Sequence, residues 1–164
     1  MPTGEQSVEL VNTKRLELFV PILKEIDFGD RFLLSMLHWC GIGQRSTPLD
    51  FWQVFLIRSA EQIVGVSGLY RQPGTPKHIC WLGWFAIRPM FRRQGFGSSA
   101  IYLLVDYARS VCYKELWVYT ASSNEPAKNF YRNIGFELLG IALNHAPGQT
   151  MDDSDIVLKR SLGF

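Results

Sequence analysis

The sequence predicts a mixed α/β domain in which helices flank strands that form both antiparallel and parallel pairs. Two segments rich in β-branched residues, 52–58 and 62–69, are separated by a short polar turn, which is typical of an antiparallel hairpin. Further along, an apolar strand at 79–87, a helix at 97–110 and a strand at 115–120 follow one another. That order implies a parallel pair of strands joined by a right-handed crossover.

The remaining elements follow from the spacing of apolar residues. A strand at 7–11 leads through the cap residues Asn12 and Thr13 into an amphipathic helix, and a second helix covers 31–40. The apolar residues of the first helix recur at helical spacing: Leu16, Phe19, Val20 and Leu23. A Pro-Gly-Thr-Pro turn at 73–76 then precedes the apolar strand.

The strand at 79–87 is apolar on both of its faces, a pattern expected of a central strand that helices cover on each side. Gly83 interrupts it, and a glycine inside a buried strand commonly marks a bulge or a close backbone approach. The last predicted elements are a helix at 125–134, which ends at Gly135, and two strands at 136–143 and 154–160.

Length and charge limit the classes of function. The 164 residues contain no repeat and no linker, so we expect a single domain over residues 1–164. Apolar residues make up 47% and charged residues 20%, a balance that excludes a disordered chain. The 17 Lys and Arg against 15 Asp and Glu give a net charge of +2. We therefore expect no nucleic-acid partner.

The cysteines and histidines show no metal-binding pattern. Cys40, Cys80 and Cys112 are odd in number and lack a C-x-x-C pair, which argues against a disulfide framework or a structural zinc site. We expect Cys80 and Cys112 to be small core residues rather than acyl carriers. The histidines lack metal-ligand spacing as well: His38, His78 and His145. We expect no metal, no signal peptide, no membrane span and a cytoplasmic location.

A glycine-containing loop between the apolar strand and its helix is suited to a phosphate. Gly95 and Gly97 allow a tight turn that directs several backbone N–H groups toward one point, where the helix dipole also favours negative charge. The alternative is an exposed basic loop whose glycines serve only the turn. The segment 95–100 also matches the dinucleotide fingerprint formally, but its first glycine does not follow the strand directly, and no acidic residue ends the next strand at Thr120.

Two segments carry a family resemblance. Ile-Arg-Pro at 87–89 followed by Arg-Arg-Gln-Gly-Phe-Gly at 92–97 resembles the acyl-CoA signature of the GNAT superfamily of N-acetyltransferases. The segment 124–136 resembles the second block of that superfamily, Asn-x-x-Ala-x-x-Phe-Tyr-x-x-x-Gly-Phe, at every specified position. Two blocks in the expected order are far more specific than either alone, and the resemblance as a whole covers 79–136. The resemblance implies a mostly antiparallel central sheet with one parallel strand pair, flanked by helices.

The same resemblance implies an acetyl-CoA site. Main-chain groups of Phe85 and Ile87 would pair with the pantetheine arm like an added strand, and Asn124 and Ala127 would border that arm. Backbone amides of the glycine-containing loop would hold the pyrophosphate: Arg92, Arg93, Gln94, Gly95, Phe96, Gly97 and Ser98.

The resemblance also implies that the side chain of Tyr131 points at the sulfur of CoA. A phenol with an ordinary pKa near 10 can protonate a departing thiolate while it stays neutral at working pH. The alternative is a core aromatic residue, since Tyr131 shares a helical face with Ala127, Phe130 and Ile134.

A proton route for the attacking amine is not evident from the sequence. The amine must be neutral to attack a thioester, yet no carboxylate lies between His78 and Ile87. Glu115 begins the following strand, whereas ligands of such sheets bind at the carboxyl ends of strands. The proton acceptor therefore stays open between ordered water and His78.

The predicted activity is N-acetyl transfer from acetyl-CoA to a primary amine by direct attack in a ternary complex; the alternative is a non-catalytic acyl-CoA-binding or regulatory module. The sequence leaves the acceptor open between small-molecule and peptide amines. It also leaves the oligomeric state open, a homodimer included. The acidic segment 151–155 either attracts a cationic amine or forms a solvated turn.

Overall fold

The protein forms a twisted mixed sheet covered by helices. The computed structural model describes residues 6–26, 29–39, 49, 51–71, 74–141 and 155–163. Within this part the strands are β1 (Glu9–Asn12), β2 (Trp52–Ser59), β3 (Gln62–Tyr70), β4 (Ile79–Ile87), β5 (Glu115–Ala121), β6 (Glu137–Ile141) and β7 (Asp155–Ser161). Their order in the sheet is β1-β2-β3-β4-β5-β7-β6, and every described pair is antiparallel except β4 with β5. The predicted fold class is confirmed.

Helices cover both faces of the sheet. They are α1 (Val20–Leu23), α2 (Gly29–Trp39), α3 (Phe96–Ser110) and α4 (Glu125–Asn133), with 3₁₀ turns at Leu16–Leu18 and Pro89–Phe91. Side chains of α1 and α2 pack on the face that carries Trp81, while α3 and α4 pack on the face that carries Cys80 and Leu82. We call these the α1–α2 face and the α3–α4 face. None of the described helices is long and apolar enough to cross a membrane.

The prediction that the first helix is one continuous element is wrong. The segment instead forms the 3₁₀ turn Leu16–Leu18 and the single turn of α1. Asn12 belongs to β1 and does not cap a helix. Pro21 explains the interruption, because it lacks the N–H that a continuing helix would need there and is tolerated only in the first turn of a new one.

The other predicted elements begin and end within two residues of the observed ones wherever the structure describes them. The second helix begins at Gly29 rather than at residue 31, and Cys40 lies outside the described residues. Residues 142–143 and 154, at the predicted ends of the last two strands, also lie outside the described residues, as does the part 151–154 of the acidic segment.

Candidate active site between two splayed strands

The parallel pair β4 and β5 separates partway along its length. Cα partners are Ile79 with Glu115, Cys80 with Leu116 and Trp81 with Trp117, and the pairing among the described residues stops there. Both strands nevertheless continue, β4 to Ile87 and β5 to Ala121. The result is a gap between residues 82–87 of β4 and 118–121 of β5, which we call the β4–β5 gap.

A bulge in β4 accompanies this separation. On the β3 side Val66 pairs with Ala86 and Gly68 with Gly83, so β4 carries one residue more than β3 between these pairs. The extra length turns β4 away from the regular sheet. The sequence predicts a bulge near Gly83, and the structure has it immediately after that residue.

The bulge requires a strained aromatic residue and a close backbone approach. Trp84 has φ +54°, a left-handed conformation that costs a bulky L-residue roughly 1–2 kcal/mol. Such strain is often kept at functional sites. On the neighbouring strand, a Cβ at Gly65 would lie 2.4 Å from the carbonyl oxygen of Ala86, so only glycine fits beside the end of β4.

The edge of β4 that faces the gap carries backbone groups that are not paired with a neighbouring strand. The N–H of Arg88 donates to the carbonyl of Val64 at 2.8 Å. Because hydrogen-bonded and non-hydrogen-bonded positions alternate in an antiparallel pair, the N–H and C=O of Ile87 point away from β3 toward the gap. The Ile87 carbonyl accepts a hydrogen bond from Nε of Arg92 at 2.9 Å. Phe85 lies two residues earlier on the same strand. An extended polar chain in the gap would meet these groups as a strand meets a sheet edge.

The loop after β4 ends in the N-terminus of α3. Gly95 caps this helix with φ +87°, and Arg93 at φ +61° also adopts the left-handed conformation. None of the described side chains caps this end, and the first-turn N–H groups of Phe96, Gly97 and Ser98 have no intrahelical partners because of their position. The 15 residues of α3 give this end a full helix dipole. The chemistry of these groups suits an anion, and we call this N-terminus, which lies beside the gap, the anion-binding end.

The arginines near this loop have different partners. Arg92 and Arg93 are exposed and belong to the loop itself. Arg88 is instead held by Glu25, with Nε 2.8 Å from one carboxylate oxygen and a terminal nitrogen 2.8 Å from the other. Its remaining terminal nitrogen donates to the carbonyl of Ile63 at 2.7 Å. Arg88 therefore ties the end of β4 to the turn after α1 and to β3.

The second sequence block forms α4. The side chain of Asn124 caps this helix, since its Oδ1 accepts a hydrogen bond from the N–H of Ala127 at 3.2 Å. Ala127 is half-buried and packs with the residues of the α3–α4 face. Pro126 stands in the first turn, where its missing N–H costs nothing.

Phe130 connects the two sequence blocks. Its ring stacks on Phe85 of the bulge, with 5.9 Å between centroids and 11° between planes. A Cβ at Gly97 would lie 3.3 Å from the same ring, so the start of α3 approaches it closely. Phe130 thus joins the bulge, the anion-binding end and α4 in one place.

Tyr131 follows Phe130 on α4 and is 7% exposed. Its ring lies edge-on to Phe130 and to Phe136, with 5.3 Å between centroids in each case. Burial raises the pKa of Tyr131 above its usual value of 10, so the phenol is neutral at physiological pH. Among the described residues its hydroxyl has no hydrogen-bond partner.

His78, one of the two candidate proton acceptors, lies far from the gap. Its Nε2 lies 3.0 Å from Oε2 of Glu115, at the paired end of β4 and β5. The gap begins beyond Trp81, and Gly83 lies about 17 Å from His78 at the usual rise of a strand. Glu115 stands at the same distant end, as the sequence predicts.

The two described cysteines differ. Cys80 is buried as predicted, and burial raises its thiol pKa far above the ordinary value, which makes it a poor nucleophile. Cys112 is exposed, and its prediction as a core residue is wrong: it lies in the turn that ends α3, with φ +72°. No three His, Cys, Asp or Glu side chains of the described ranges form a metal-binding group.

Comparison by sequence identifies a family and one distant relative. The model of the Acetyltransferase (GNAT) family matches residues 17–136, which include both sequence blocks. An uncharacterised protein of Mycobacterium leprae is 30% identical over 95 residues. That match covers 58% of this chain and 26% of the relative, so the matched part spans about a quarter of the relative's length.

Solved structures share the fold at low identity. The ribosomal-protein-S18-alanine N-acetyltransferase of Escherichia coli is similar with TM-score 0.66 and 19% identity, covering 96% of this chain and 94% of that one. A chimeric spermidine N-acetyltransferase from Vibrio cholerae gives TM-score 0.69, 16% identity and coverages of 94% and 95%. The PaiA N-acetyltransferase of Thermoplasma acidophilum in complex with coenzyme A gives TM-score 0.66, 12% identity and coverages of 95% and 99%. With the family model matching most of its length, this chain belongs to the GNAT family of acetyltransferases.

Proposed function

We propose that this protein transfers an acetyl group from acetyl-CoA to a primary amine. The observation that carries the proposal is the β4–β5 gap, whose strand edge on β4 is not paired with β5 and leads to the N-terminus of α3, which no described side chain caps. A long donor with a polar extended arm and a pyrophosphate needs a strand edge followed by an anion-binding end.

The residues present fit such a donor. Backbone amides in the loop from Arg92 to Ser98 hold the pyrophosphate, with the exposed guanidinium groups of Arg92 and Arg93 adding charge-assisted donors. Phe85 and Ile87 offer their main-chain groups to the pantetheine. Asn124 and Ala127 stand at the start of α4 and border the same arm.

Chemistry proceeds by direct attack. The neutral amine adds to the thioester carbonyl, the carbon–sulfur bond breaks, and the departing sulfur takes a proton from the hydroxyl of Tyr131. The nitrogen releases its extra proton to water, and the Tyr131 phenolate takes a proton back from water, so that amide, thiol and neutral Tyr131 remain. The high pKa of Tyr131 keeps that proton in place until the thiolate forms. Cys80 is too deeply buried to carry the acyl group, so a ternary complex is simpler than a covalent intermediate.

The acceptor is a small-molecule or peptide amine. The structurally similar proteins include one N-acetyltransferase of each kind, for spermidine and for a ribosomal-protein alanine. The free thiols Cys80 and Cys112 fit the reducing cytoplasm.

An amine panel with acetyl-CoA tests the activity. The panel contains spermidine, an alanyl peptide, 2-phenylethylamine and lysine, and release of CoA is followed by its thiol. We expect amine-dependent CoA release with at least one acceptor, above the rate without amine. Calorimetric binding of acetyl-CoA with no amine-dependent release would favour a non-catalytic acyl-CoA-binding module instead.

A further inference from the structure

The open side of the β4–β5 gap determines how an acceptor arrives. On the α3–α4 face, Phe85 of β4 packs against Phe130 of α4, and Phe130 packs against Tyr131, so aromatic side chains occupy this side of the gap. An acceptor that reaches the thioester of the proposed function must therefore approach from the α1–α2 face. The side chains on that face decide which amine fits.

Those side chains are aromatic. Trp84 is half-buried and stacks on Phe32 of α2, with 6.1 Å between centroids and 25° between planes. Across the gap, half-buried Tyr119 of β5 lies edge-on to Trp81, with 6.2 Å between centroids. All four rings belong to the same apolar cluster on the α1–α2 face. Rings from both strands thus border the gap on the side from which the acceptor comes.

A carboxylate stands beyond these rings. In the pairing of β5 with β7, Tyr119 is opposite Val157 and Ala121 is opposite Asp155. Because alternate residues share a face and Val157 belongs to the α1–α2 cluster, Asp155 lies on the face of Tyr119, at the open end of the gap. Burial, and secondarily the charge of Asp155, raise the pKa of Tyr119 to about 12, in line with this proximity.

We propose that the acceptor is a primary amine carried on an aromatic group, with its ring against Trp84 and Tyr119 and its ammonium drawn toward Asp155. The inference rests on the proposed acetyl transfer and names its substrate class. Ring faces attract both aromatic groups and cations. Glu115, which lies on the same face at the far end of β5, is paired with His78 and Lys159.

The first test compares two amines of nearly equal size, 2-phenylethylamine and 2-cyclohexylethylamine, which differ in aromaticity. Binding to the protein saturated with CoA is measured by calorimetry, and kcat/KM with acetyl-CoA is measured in parallel. We expect the aromatic amine to bind and react about tenfold better, the upper range of aromatic pair effects. Equal values for the two amines, or binding of neither, would overturn the inference.

Variants at the two proposed contacts provide the second test. Trp84→Leu keeps the apolar bulk and removes the ring, so the preference for the aromatic amine should vanish, and Trp84→Phe should restore part of it. Asp155→Asn should raise KM about fivefold for 2-phenylethylamine, a cation, and leave KM unchanged for neutral aniline. Tyr102→Leu, which removes an exposed ring on α3, is the control and should change neither quantity.

Different results would overturn the aromatic acceptor and the proposed acetyl transfer. Turnover of spermidine or of an alanyl peptide without turnover of 2-phenylethylamine would overturn the aromatic acceptor and leave acetyl transfer standing. Failure of acetyl-CoA to bind would overturn the proposed function, and the acceptor class with it. A preference retained in Trp84→Leu, at a melting temperature equal to that of the wild type, would also contradict the inference.

Discussion

Replacing Tyr131 by phenylalanine is expected to lower kcat roughly 10- to 1,000-fold with little change in the affinity for acetyl-CoA. The ring keeps its contacts with Phe130 and Phe136, and only the proton donor is lost. Since the hydroxyl has no hydrogen-bond partner among the described residues, we expect the free energy of unfolding to change by less than about 1 kcal/mol. Steady-state kinetics and thermal unfolding measure the two effects.

The matched control is Tyr113→Phe, because Tyr113 is also 7% exposed and packs in the same cluster. It should leave kcat unchanged. Burial raises the pKa of Tyr131, so its proton is retained as pH rises through 10, and kcat should show no alkaline decline between pH 7 and pH 10. Wild-type kcat in Tyr131→Phe would reduce Tyr131 to a packing residue.

Replacing Gly95 by proline is expected to abolish acetyl-CoA binding. Gly95 has φ +87°, whereas proline holds φ near −65°, so the N-terminus of α3 cannot keep its geometry. At a concentration about 100-fold above Kd, acetyl-CoA should raise the wild-type Tm by roughly 5–10 °C. The variant should show no such shift.

Gly74→Pro is the control for backbone strain. Gly74 has a similar φ of +83° in a turn with nothing within 4 Å of an added Cβ. Both variants lose a left-handed glycine, but only Gly95 stands at the proposed pyrophosphate site. A full acetyl-CoA shift in Gly95→Pro would contradict the assignment of this loop.

Local sequence signals account for much of the fold. The hairpin of β2 and β3, the crossover through α3 and the cap at Asn124 each depend on residues close together in the chain. Their spacing and turn chemistry are therefore readable without a structure. The break in the first helix was also predictable, because Pro21 lies inside the predicted segment. The helical spacing of the apolar residues around it nevertheless favoured a continuous helix.

The features that join the site depend on residues far apart in sequence. The stacking of Phe130 on Phe85 and the ion pair of Arg88 with Glu25 link segments 45 and 63 positions apart. Neither pair shares a local motif that would predict the contact. The left-handed conformation also falls on Trp84 and not on Gly83, because the register with β3 rather than residue type places the bulge.

Amide hydrogen exchange with and without acetyl-CoA tests the central claim most directly, namely that the β4–β5 gap and the end of α3 hold the donor. We predict slower exchange on binding at the N–H of Ile87 and at the N–H groups of Gly97 and Ser98. Protection confined to another surface, such as the cleft of about 480 Å³ beside Glu25 and Met90, would contradict the claim. Unchanged exchange throughout the chain at saturating acetyl-CoA would contradict it as well.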